Sequence, residues 1–220
     1  NIMFFLPFSI LLLLIFILLL PFFFLLVQVE IIKIALSKLG LSPYMALLIF
    51  LLSLIGSTIN IPLFSREVTG VVPNREMFFI FNPFGMPEVQ TKQIIAINIG
   101  GAIIPLFLCI YLLPKAPPLP TLFATLISII VCFKISKIVP GMGIVIPSLI
   151  PPIIAVLCAY IFSPGNKIPV AYISGVLGVL IGADLLNLTN LGNYPGIMSI
   201  GGAGVYDGIF LVGIISALLA

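Results

Sequence analysis

The stretch IMFFLPFSILLLLIFILLLPFFFLLV, residues 2–27, decides the class of this protein. It carries no charged side chain, and it is longer than the roughly 20 apolar residues that cross the hydrocarbon core of a bilayer. It is also too long for the apolar region of a secretory signal peptide, and no small-residue cleavage site follows it. We therefore expect a membrane-spanning helix that the mature protein keeps.

The rest of the chain has the same apolar character. Hydrophobic residues make up 62% of the 220 residues, charged residues only 7%, and the mean hydropathy is +1.40. These values lie far outside the range of soluble domains. We predict a single integral membrane domain over residues 1–220, an all-α bundle of about seven transmembrane helices with a small surface β-hairpin. We expect it in the plasma membrane of a prokaryotic cell, with the lipid bilayer as a partner, and the sequence is compatible with an oligomer.

The predicted spans follow from the length that an apolar helix needs to cross a bilayer. After the first span, residues 28–40 place Glu30 and Lys38 among Ile and Leu at helical spacing, which predicts an interfacial amphipathic helix ending at Gly40. The extramembrane loop of residues 62–93 is the longest connection. The predicted spans are residues 2–27, 43–61, 94–113, 119–133, 146–162, 168–187 and 198–220.

Two β-rich runs lie in this long loop, REVTGVV at residues 66–72 and REMFFIF at residues 75–81. Pro73-Asn74 separates them, so the pattern predicts a small β-hairpin at the membrane surface. Such a hairpin either closes a helix pair as a solvated loop or offers an edge strand to which an extended peptide adds. The sequence leaves both interpretations open.

Several kinds of chemistry are excluded by what the sequence lacks. The net charge of +3 comes from nine basic and six acidic residues, too few for a nucleic-acid surface, and no glycine-rich phosphate loop is present. Histidine is absent, which excludes His-dependent catalytic triads, haem ligation by His and the HExxH zinc site. The three cysteines stand singly in apolar stretches and are typical of small core residues. We expect neither a metal site nor a cofactor.

The candidate site consists of the only two aspartates in the chain, Asp184 and Asp207. Both lie inside predicted spans, whereas the four glutamates lie in loops or at interfaces. A carboxylate inside the bilayer costs about 2.5–3.5 kcal/mol on insertion scales, so it normally faces a protein interior or a wet cavity and serves a function. Two such residues in neighbouring helices indicate a functional site.

The turn LGNYPG, residues 191–196, separates the last two predicted spans. Its centre lies midway between the two aspartates, so an antiparallel pair folded there would bring both carboxyl groups to one depth, up to about 17 Å from the turn. On the final helix Asp207 shares its face with Ala203 and Gly204. These small neighbours leave room for a substrate backbone or for close helix packing.

A stripe of small residues follows one face of the preceding helix: Ala171, Gly175, Gly178 and Gly182. This spacing suits close packing against another helix. Asp184 points almost away from the stripe at the ideal helical angle. Either the helix unwinds near Gly182 or the stripe packs against a different neighbour, and we favour packing as the role of the glycines.

The stretch VPGMGIVIPSLIPPII, residues 139–154, carries four prolines. Each proline inside a helix removes a backbone hydrogen bond, so a continuous helix is not expected here. Broken backbone at membrane depth normally lines a cavity or is covered by protein. The stretch therefore either borders the aspartates or forms a simple kinked helix.

The segment GGAGVYDGIFLVGIISALLA, residues 201–220, resembles the second catalytic helix of the GxGD intramembrane aspartyl proteases, the class of presenilin, signal peptide peptidase and the prepilin peptidases. In that class a glycine-rich turn precedes an aspartate, and a helix of small residues follows it. The resemblance implies an aspartic-type intramembrane endopeptidase with Asp207 and Asp184 as its catalytic pair. It also implies supporting or substrate-binding roles for Ala203, Gly204 and Tyr206.

Two further resemblances concern other parts of the chain. Pro147-Ser148-Leu149 is similar to the Pro-Ala-Leu segment of presenilins, although it precedes both aspartates instead of following them, and we include it among the supporting residues. The stretches AINIGGAIIPLFL, IGADLLNL and GGAGVYDGIF together resemble an uncharacterised family of archaeal and thermophilic bacterial membrane proteins. That resemblance covers most of the chain from about residue 60 onward and implies no activity.

A close pair of carboxyl groups would share one proton. The ionised group can take a proton from a water that attacks a peptide carbonyl, while the protonated group donates to the developing oxyanion. Because such a pair titrates as a unit, the sequence assigns neither aspartate as the acid or the base. The predicted substrate is a transmembrane peptide or protein.

The same carboxylates fit two other functions. Together with Asn98, Asn187 and Asn190 they would bind H⁺ or Na⁺ in a membrane transporter or channel. Alternatively, they would pair with hydrogen-bond donors in a structural scaffold that binds membrane partners. Hydrolysis and transport differ in what each aspartate must do, which makes them separable by experiment.

Overall fold

The computed structural model describes residues 8–68, 92–139, 143–190, 196–202 and 208–220. Within these ranges the chain is mainly α-helical, as predicted, and it also forms two small sheets. The helices are α1 (Phe8–Lys38), α2 (Pro43–Gly56), α3 (Ile104–Leu112), α4 (Pro118–Ile135), α5 (Ile150–Phe162), α6 (Lys167–Leu177) and α7 (Gly208–Leu219). The strands are β1 (Asn60–Glu67), β2 (Lys92–Asn98), β3 (Lys137–Val139), β4 (Gly143–Val145) and β5 (Gly196–Ile200).

Three helical segments are long and apolar enough to cross a membrane by length and composition: Ile10–Lys38, Pro118–Ile135 and Lys167–Asn190. A helix of 14 residues such as α2 is about 21 Å long, less than the roughly 30 Å of a hydrocarbon core. Helix length therefore supports three spans within the described residues. The shorter apolar helices are Pro43–Gly56, Ile99–Lys115, Ile150–Phe162 and Gly208–Leu219.

Two of the predicted spans begin in strands. Residues 94–98 belong to β2 and residues 198–200 to β5, so the predicted spans 94–113 and 198–220 were wrong in their first residues. The reason is that a short apolar run rich in Ile has no periodicity that separates a strand from a buried helix. The predicted span 43–61 was too long at its C-terminal end. The helix α2 ends at Gly56, and β1 begins at Asn60.

α1 is one continuous helix of 31 residues, so the separate interfacial helix predicted for residues 28–40 was wrong. Its C-terminal part packs on the bundle, where α1 contacts α2 and α7. The apolar residues of this face, at helical spacing, are buried against protein. Gly40, with φ +83°, follows the helix end as predicted. The buried side chains of this face are Ile32, Ala35, Leu36 and Leu39.

Lysine side chains tie several helix ends together. Lys38 Nζ donates to the Leu218 carbonyl oxygen at 2.7 Å, and Lys115 Nζ donates to the Leu39 carbonyl oxygen at 3.3 Å. The ends of α1, α3 and α7 therefore lie side by side, and α2 and α4 begin next to them. We call this the lysine end of the bundle. The opposite end, which we call the sheet end, holds both sheets and the starts of α3, α5 and α7.

β2 is the central strand of a three-stranded sheet in the order β1-β2-β5. It pairs antiparallel with β1 and parallel with β5, and the long crossover that a parallel pair needs contains α3 to α6. β1 is almost entirely exposed at one edge, whereas β2 is largely buried. Of the predicted hairpin strand 66–72, residues 66 and 67 belong to β1 and residue 68 follows it. The rest of that run and the partner run 75–81 lie outside the described residues.

The proline-rich stretch forms a short hairpin and a turn before α5. β3 pairs antiparallel with β4, and residues 146–149 then lead into the helix, so the predicted span 146–162 begins too early. Pro151 and Pro152 stand in the first turn of α5. N–H groups in the first turn of a helix have no acceptor within the helix, so proline costs no hydrogen bond there. The backbone is therefore interrupted here, as the prolines predicted.

The helix α6 changes its winding before it ends. It continues as a π-helix over Gly178–Asp184 and then as a 3₁₀-helix over Leu185–Asn190. A Cβ atom at Gly178 would lie 2.6 Å from Ser128 Cβ, and a Cβ atom at Gly182 would overlap the carbonyl oxygen of Ile129. The glycines thus allow α4 to approach closely. Close packing of the small-residue stripe and a change of winding near Gly182 were alternatives from the sequence, and both occur.

We expect Gly182→Ala to destabilise the protein by about 1–3 kcal/mol, because the added methyl group would collide with backbone atoms of α4. The thermal unfolding midpoint of the detergent-solubilised protein, followed by circular dichroism, measures this effect. Gly165→Ala is the matched control, because residue 165 is exposed and a Cβ there meets no described atom within 4 Å. Equal midpoints for the two variants would contradict the close approach of α4.

Candidate functional site

Asp184 is the last residue of the π-helix and is half-buried at the sheet end of the bundle. Its Oδ2 atom accepts a hydrogen bond from the backbone N–H of Gly201, with 3.3 Å between the heavy atoms. Gly201 directly follows β5. The carboxylate therefore contacts the segment that leads from β5 towards α7.

The two segments that carry the aspartates run antiparallel. A Cβ at Gly175, early in α6, would lie 2.8 Å from Ser216 Oγ, late in α7. Further along the first segment, Asp184 contacts Gly201, which precedes α7. As the residue number rises along the first segment, from 175 to 184, the number of its contact partner falls from 216 to 201. The helix α7 also contacts the π-helix. This is the antiparallel arrangement that the sequence predicted.

Asp207 lies outside the described residues, together with Ala203, Gly204 and Tyr206. The described chain resumes directly after Asp207, where α7 begins. The structure therefore gives the surroundings of Asp184 and the helix that follows Asp207. The pairing of the two carboxyl groups stays a prediction.

Asn187 stabilises the altered winding next to Asp184. Its Nδ2 atom donates to the carbonyl oxygens of Ala183 at 2.9 Å and Gly182 at 3.3 Å, and to Ser136 Oγ at 2.9 Å. Carbonyl groups near the end of a helix lose their intrahelical partners and need others. The buried amide satisfies two of them and ties the turn to the end of α4.

The two parallel strands run into the same four-residue sequence, Ile-Gly-Gly-Ala, at residues 99–102 after β2 and residues 200–203 at the end of β5. Gly201 has φ +84°, and a Cβ there would lie 2.6 Å from Ala102 Cβ and 2.7 Å from Ala102 N. Glycine fits both the backbone conformation and the space. Residues Ile99–Ile103 form a short π-helical turn that leads into α3, and Gly201 lies in the turn that follows β5. The contact between these two turns sets the position of the Gly201 N–H, which donates to Asp184.

A buried polar network supports the same contact. Asn98 Oδ1 accepts from the Gly101 N–H at 2.8 Å, and Asn98 Nδ2 donates to the Ser57 carbonyl oxygen at 2.7 Å and to Asn60 Oδ1 at 3.0 Å. Ser199 Oγ donates to the same Asn60 oxygen at 2.5 Å. The network joins the end of α2 with all three strands of the sheet, directly beside the Ile-Gly-Gly-Ala turns.

The predicted supporting residues Pro147, Ser148 and Leu149 form the exposed turn before α5. This turn lies at the sheet end, which is also the end where Asp184 lies. β4, which ends two residues before Pro147, contacts the π-helix. The proline-rich stretch thus meets the element that carries Asp184 through β4.

The cysteines Cys109, Cys132 and Cys158 are free and buried, as expected of core residues. Within the described ranges, no three side chains of His, Cys, Asp or Glu come together closely enough to hold a metal ion. Asp184 accepts a hydrogen bond from a backbone N–H, and the neighbouring Asn187 amide bonds to backbone carbonyl groups and to a hydroxyl group. Such groups orient a carboxylate by hydrogen bonding.

Sequence reasoning missed three residues that fix the geometry around Asp184, namely Asn98, Asn187 and Gly201. It assigned the two asparagines to a hypothetical ion site, whereas their amides satisfy backbone groups. The repeated Ile-Gly-Gly-Ala sequence is a signal that points to Gly201, because each copy follows an apolar β-rich run. No local signal marks Asn187, since only the change of winding frees the carbonyl groups that it satisfies.

We expect Asn187→Ala to lower the free energy of unfolding by about 1–3 kcal/mol, because it leaves buried carbonyl groups of the π-helix without their donor. Asn190→Ala is the matched control, since Asn190 is exposed at the end of the same segment. Chemical denaturation in detergent measures both variants. A loss of stability that is equal in the two would show that the amide of Asn187 has no special role.

Gly201→Ala is expected to lower the unfolding midpoint more than Gly143→Ala. Both glycines have positive φ, +84° and +95°, so each substitution imposes a similar backbone strain. Only at Gly201 would the new Cβ also collide with backbone atoms, those of Ala102 and Gly101, whereas at Gly143 it meets no described atom within 4 Å. Equal effects would mean that the two Ile-Gly-Gly-Ala turns do not touch.

Comparison with known proteins gives one match. No curated protein and no solved structure matches this chain. A family model matches residues 54–219, which include both aspartates, both Ile-Gly-Gly-Ala sequences and every strand of the two sheets. The match covers well over half of the 220 residues. The chain therefore belongs to the family described as "Protein of unknown function (DUF1614)".

Proposed function

We propose that this protein is an intramembrane aspartyl protease-like hydrolase that cleaves peptide bonds of membrane-embedded substrates with Asp184 and Asp207. The observation that carries the proposal is the hydrogen bond of 3.3 Å from the Gly201 N–H to Asp184 Oδ2. It holds the Asp184 carboxyl group against the chain six positions before Asp207, and that chain enters α7 directly after Asp207. Touching antiparallel segments with one carboxyl group each are what an aspartic dyad requires.

The proposed chemistry divides the work between two carboxyl groups that share one proton. The ionised carboxylate takes a proton from the attacking water, and the protonated group donates to the carbonyl oxygen as it becomes an oxyanion. The Gly201 N–H orients the Asp184 carboxylate, and Asn187 fixes the turn that carries it. The orientation of the carboxyl group matters because it must lie within hydrogen-bond distance of the water or the carbonyl oxygen with which it exchanges a proton.

We propose that the helices form a multi-pass body in a bilayer, the prokaryotic plasma membrane, and that all seven spans contribute to it. The apolar side chains of α1 from Ile10 to Val27 are exposed on every side, and lipid is the solvent that covers such a surface. The shorter helices are extended at the sheet end by strands, and the central strand β2 pairs on both sides. A paired, buried strand is tolerated at membrane depth.

Ion transport is the alternative function for the same carboxylates. It would need free oxygen ligands near Asp184, and the asparagines were its candidates. Asn98 and Asn187 instead use their amide N–H groups on carbonyl oxygens, and Asn98 also uses its oxygen on the Gly101 N–H. The Asn98 oxygen is thus occupied by a backbone N–H, which argues against an ion site that uses it as a ligand.

We expect Asp184→Asn and Asp207→Asn each to reduce cleavage of a transmembrane peptide in proteoliposomes by about 10²–10⁴-fold or more, because each removes one partner of the proton-sharing pair. Mass spectrometry of the peptide fragments measures cleavage. Glu67→Gln is the control, because it makes the same carboxylate-to-amide change on exposed β1. Unfolding midpoints should stay within a few degrees of the parent protein.

Two outcomes would overturn the proposal. Full cleavage by either Asn variant would show that the pair does not act as a unit. Absence of cleavage in the parent protein, together with a Na⁺ or H⁺ flux that survives one of the two substitutions, would assign the carboxylates to transport.

We further propose that β5 receives the substrate as an added strand. Within the described residues β5 pairs with β2 alone, and it leads directly to Gly201 and the Asp184 carboxylate. An extended peptide on its other edge would run towards the aspartates, with its backbone hydrogen-bonded along the strand.

Backbone N-methylation of the substrate peptide tests this docking. In an added strand alternate N–H groups face the acceptor strand, so methylation of one alternating set should lower kcat/KM by about tenfold and the other set should have little effect. The two peptides have the same composition and serve as controls for each other. Equal cleavage of both would exclude strand addition.

A further inference from the structure

The exposed tyrosines of the described chain lie together at the lysine end of the bundle. They are Tyr44, Tyr111 and Tyr160, which are 87%, 39% and 46% exposed. Tyr44 stands in the first turn of α2, and the other two stand in the last turns of α3 and α5. The chain has no tryptophan, so tyrosine is the amphipathic aromatic residue that it can place at a membrane–water interface.

Two of these tyrosines contact a lysine in the same way. Lys115 Nζ lies 2.7 Å from Tyr111 Oη and 4.0 Å from the centre of its ring. Lys167 Nζ lies at the same two distances from the hydroxyl group and the ring of Tyr160. Lys167 is the first residue of α6, which follows α5 after a short loop and therefore begins at the lysine end. Two separate helix ends thus present the same pair of an ammonium group and an aromatic ring.

Each of the two ammonium groups keeps at least one N–H donor that no described residue uses. A lysine ammonium group has three donors. Lys167 uses one of them, on Tyr160, and Lys115 uses two, on Tyr111 and on the Leu39 carbonyl oxygen. These acceptors are uncharged, so both lysines keep a full positive charge without a counter-charge from them.

Acidic side chains do not balance this end of the bundle within the described ranges. Lys38, exposed at the end of α1, adds a third positive charge. Of the described acidic residues, Glu67 and Asp184 lie at the sheet end. Glu30 lies about two turns before Lys38 and pairs with Lys33. The lysine end is therefore complementary to an anionic partner.

Exposed apolar side chains continue from the two lysine–tyrosine pairs. Phe107 and Ile110 lie on α3 within about one turn of its tyrosine, and Leu157 and Ile161 lie on α5 beside its tyrosine. All four side chains are more than half exposed. A lysine and a tyrosine next to an apolar helix face match the two parts of a phospholipid, its charged head group and its acyl chains.

We propose that the lysine end lies at a membrane–water interface and binds the phosphate groups of anionic phospholipids through Lys115 and Lys167. The ammonium groups supply the charge and the free donors, and the acyl chains cover the apolar faces of α3 and α5. Lipids with a net negative charge are preferred, because the three lysines of this end attract them and a zwitterionic lipid brings its own cation. The inference rests on the proposed location in a bilayer and not on hydrolysis. Lipid binding is measured without cleavage, so the two proposals can fail separately.

Native mass spectrometry of the detergent-solubilised full-length protein, titrated with phosphatidylglycerol or phosphatidylcholine, measures this binding. We expect the parent protein to bind phosphatidylglycerol more tightly than phosphatidylcholine. The double variant Lys115→Gln/Lys167→Gln should bind phosphatidylglycerol at least about fivefold more weakly. The matched control is Lys134→Gln/Lys137→Gln, which removes two exposed lysines near the sheet end that have no described tyrosine partner. Its affinity should stay close to that of the parent protein.

Equal losses in the two double variants, or equal binding of the two lipids by the parent protein, would overturn the proposal. So would displacement of the lipid by excess inorganic phosphate but not by sodium chloride of equal ionic strength, which would assign the lysines to a soluble anion. Lys167→Gln alone keeps the test valid if the double variant does not fold, because Lys167 bonds to a side chain and to no backbone group. Parent-like binding of phosphatidylglycerol by this single variant would contradict the role of Lys167.

Spin labels in proteoliposomes locate the interface independently. A label on Tyr44→Cys should be reached by a water-soluble nickel chelate. A label on Leu126→Cys, an exposed position about 12 Å along α4 from its start, should be reached by oxygen dissolved in the hydrocarbon. The native cysteines are buried, so the label attaches to the introduced one. Equal access of oxygen to both labels would place the lysine end inside the hydrocarbon and overturn the proposal.

Discussion

The close backbone contact between the two Ile-Gly-Gly-Ala turns is the constraint on which the rest of the site depends. Gly201, in a left-handed conformation, lies against Gly101 and Ala102, and no side chain fits between them. The parallel pairing of β5 with β2 brings the two turns to the same level of the sheet. Once they touch, the Gly201 N–H is directed at Asp184, so a packing contact becomes a contact between the two segments that carry the aspartates.

The π-helix is the second element that the site requires. Its glycines let α4 approach the backbone, and Asn187 satisfies carbonyl groups that the altered winding frees. π-Helical turns are less favourable than α-helical turns and are frequently found at functional sites. Here the π-helix ends at Asp184. The altered winding, which the Asn187 amide supports, therefore also sets where the Asp184 carboxylate lies.

The sheet end combines features that are unusual in an apolar bundle. Polar side chains there bond mainly to backbone groups and to one another, as Asn98, Asn60 and Ser199 do, because unpaired polar groups are costly away from water. The strands in turn satisfy their own backbone groups through the ladder of the sheet. Irregular backbone beside Asp184 is thus supported by protein, as irregular backbone away from water must be.

The sequence by itself determined the apolar helical class, the position of α4, the end of α1 near Gly40, the interruption caused by the prolines and the placement of Asp184 as a carboxylate away from the exposed surface. These features follow from local chemistry: length of apolar runs, glycine and proline punctuation, and the cost of a charge in an apolar surrounding. Only the tertiary structure decided that β2 and β5 are strands, that α6 widens before it ends, and that Asn98, Asn187 and Gly201 fix the site. Each of these depends on a partner distant in sequence, since a short apolar run becomes a strand only when another strand pairs with it, and an asparagine becomes a cap only where a change of winding leaves carbonyl groups unbonded.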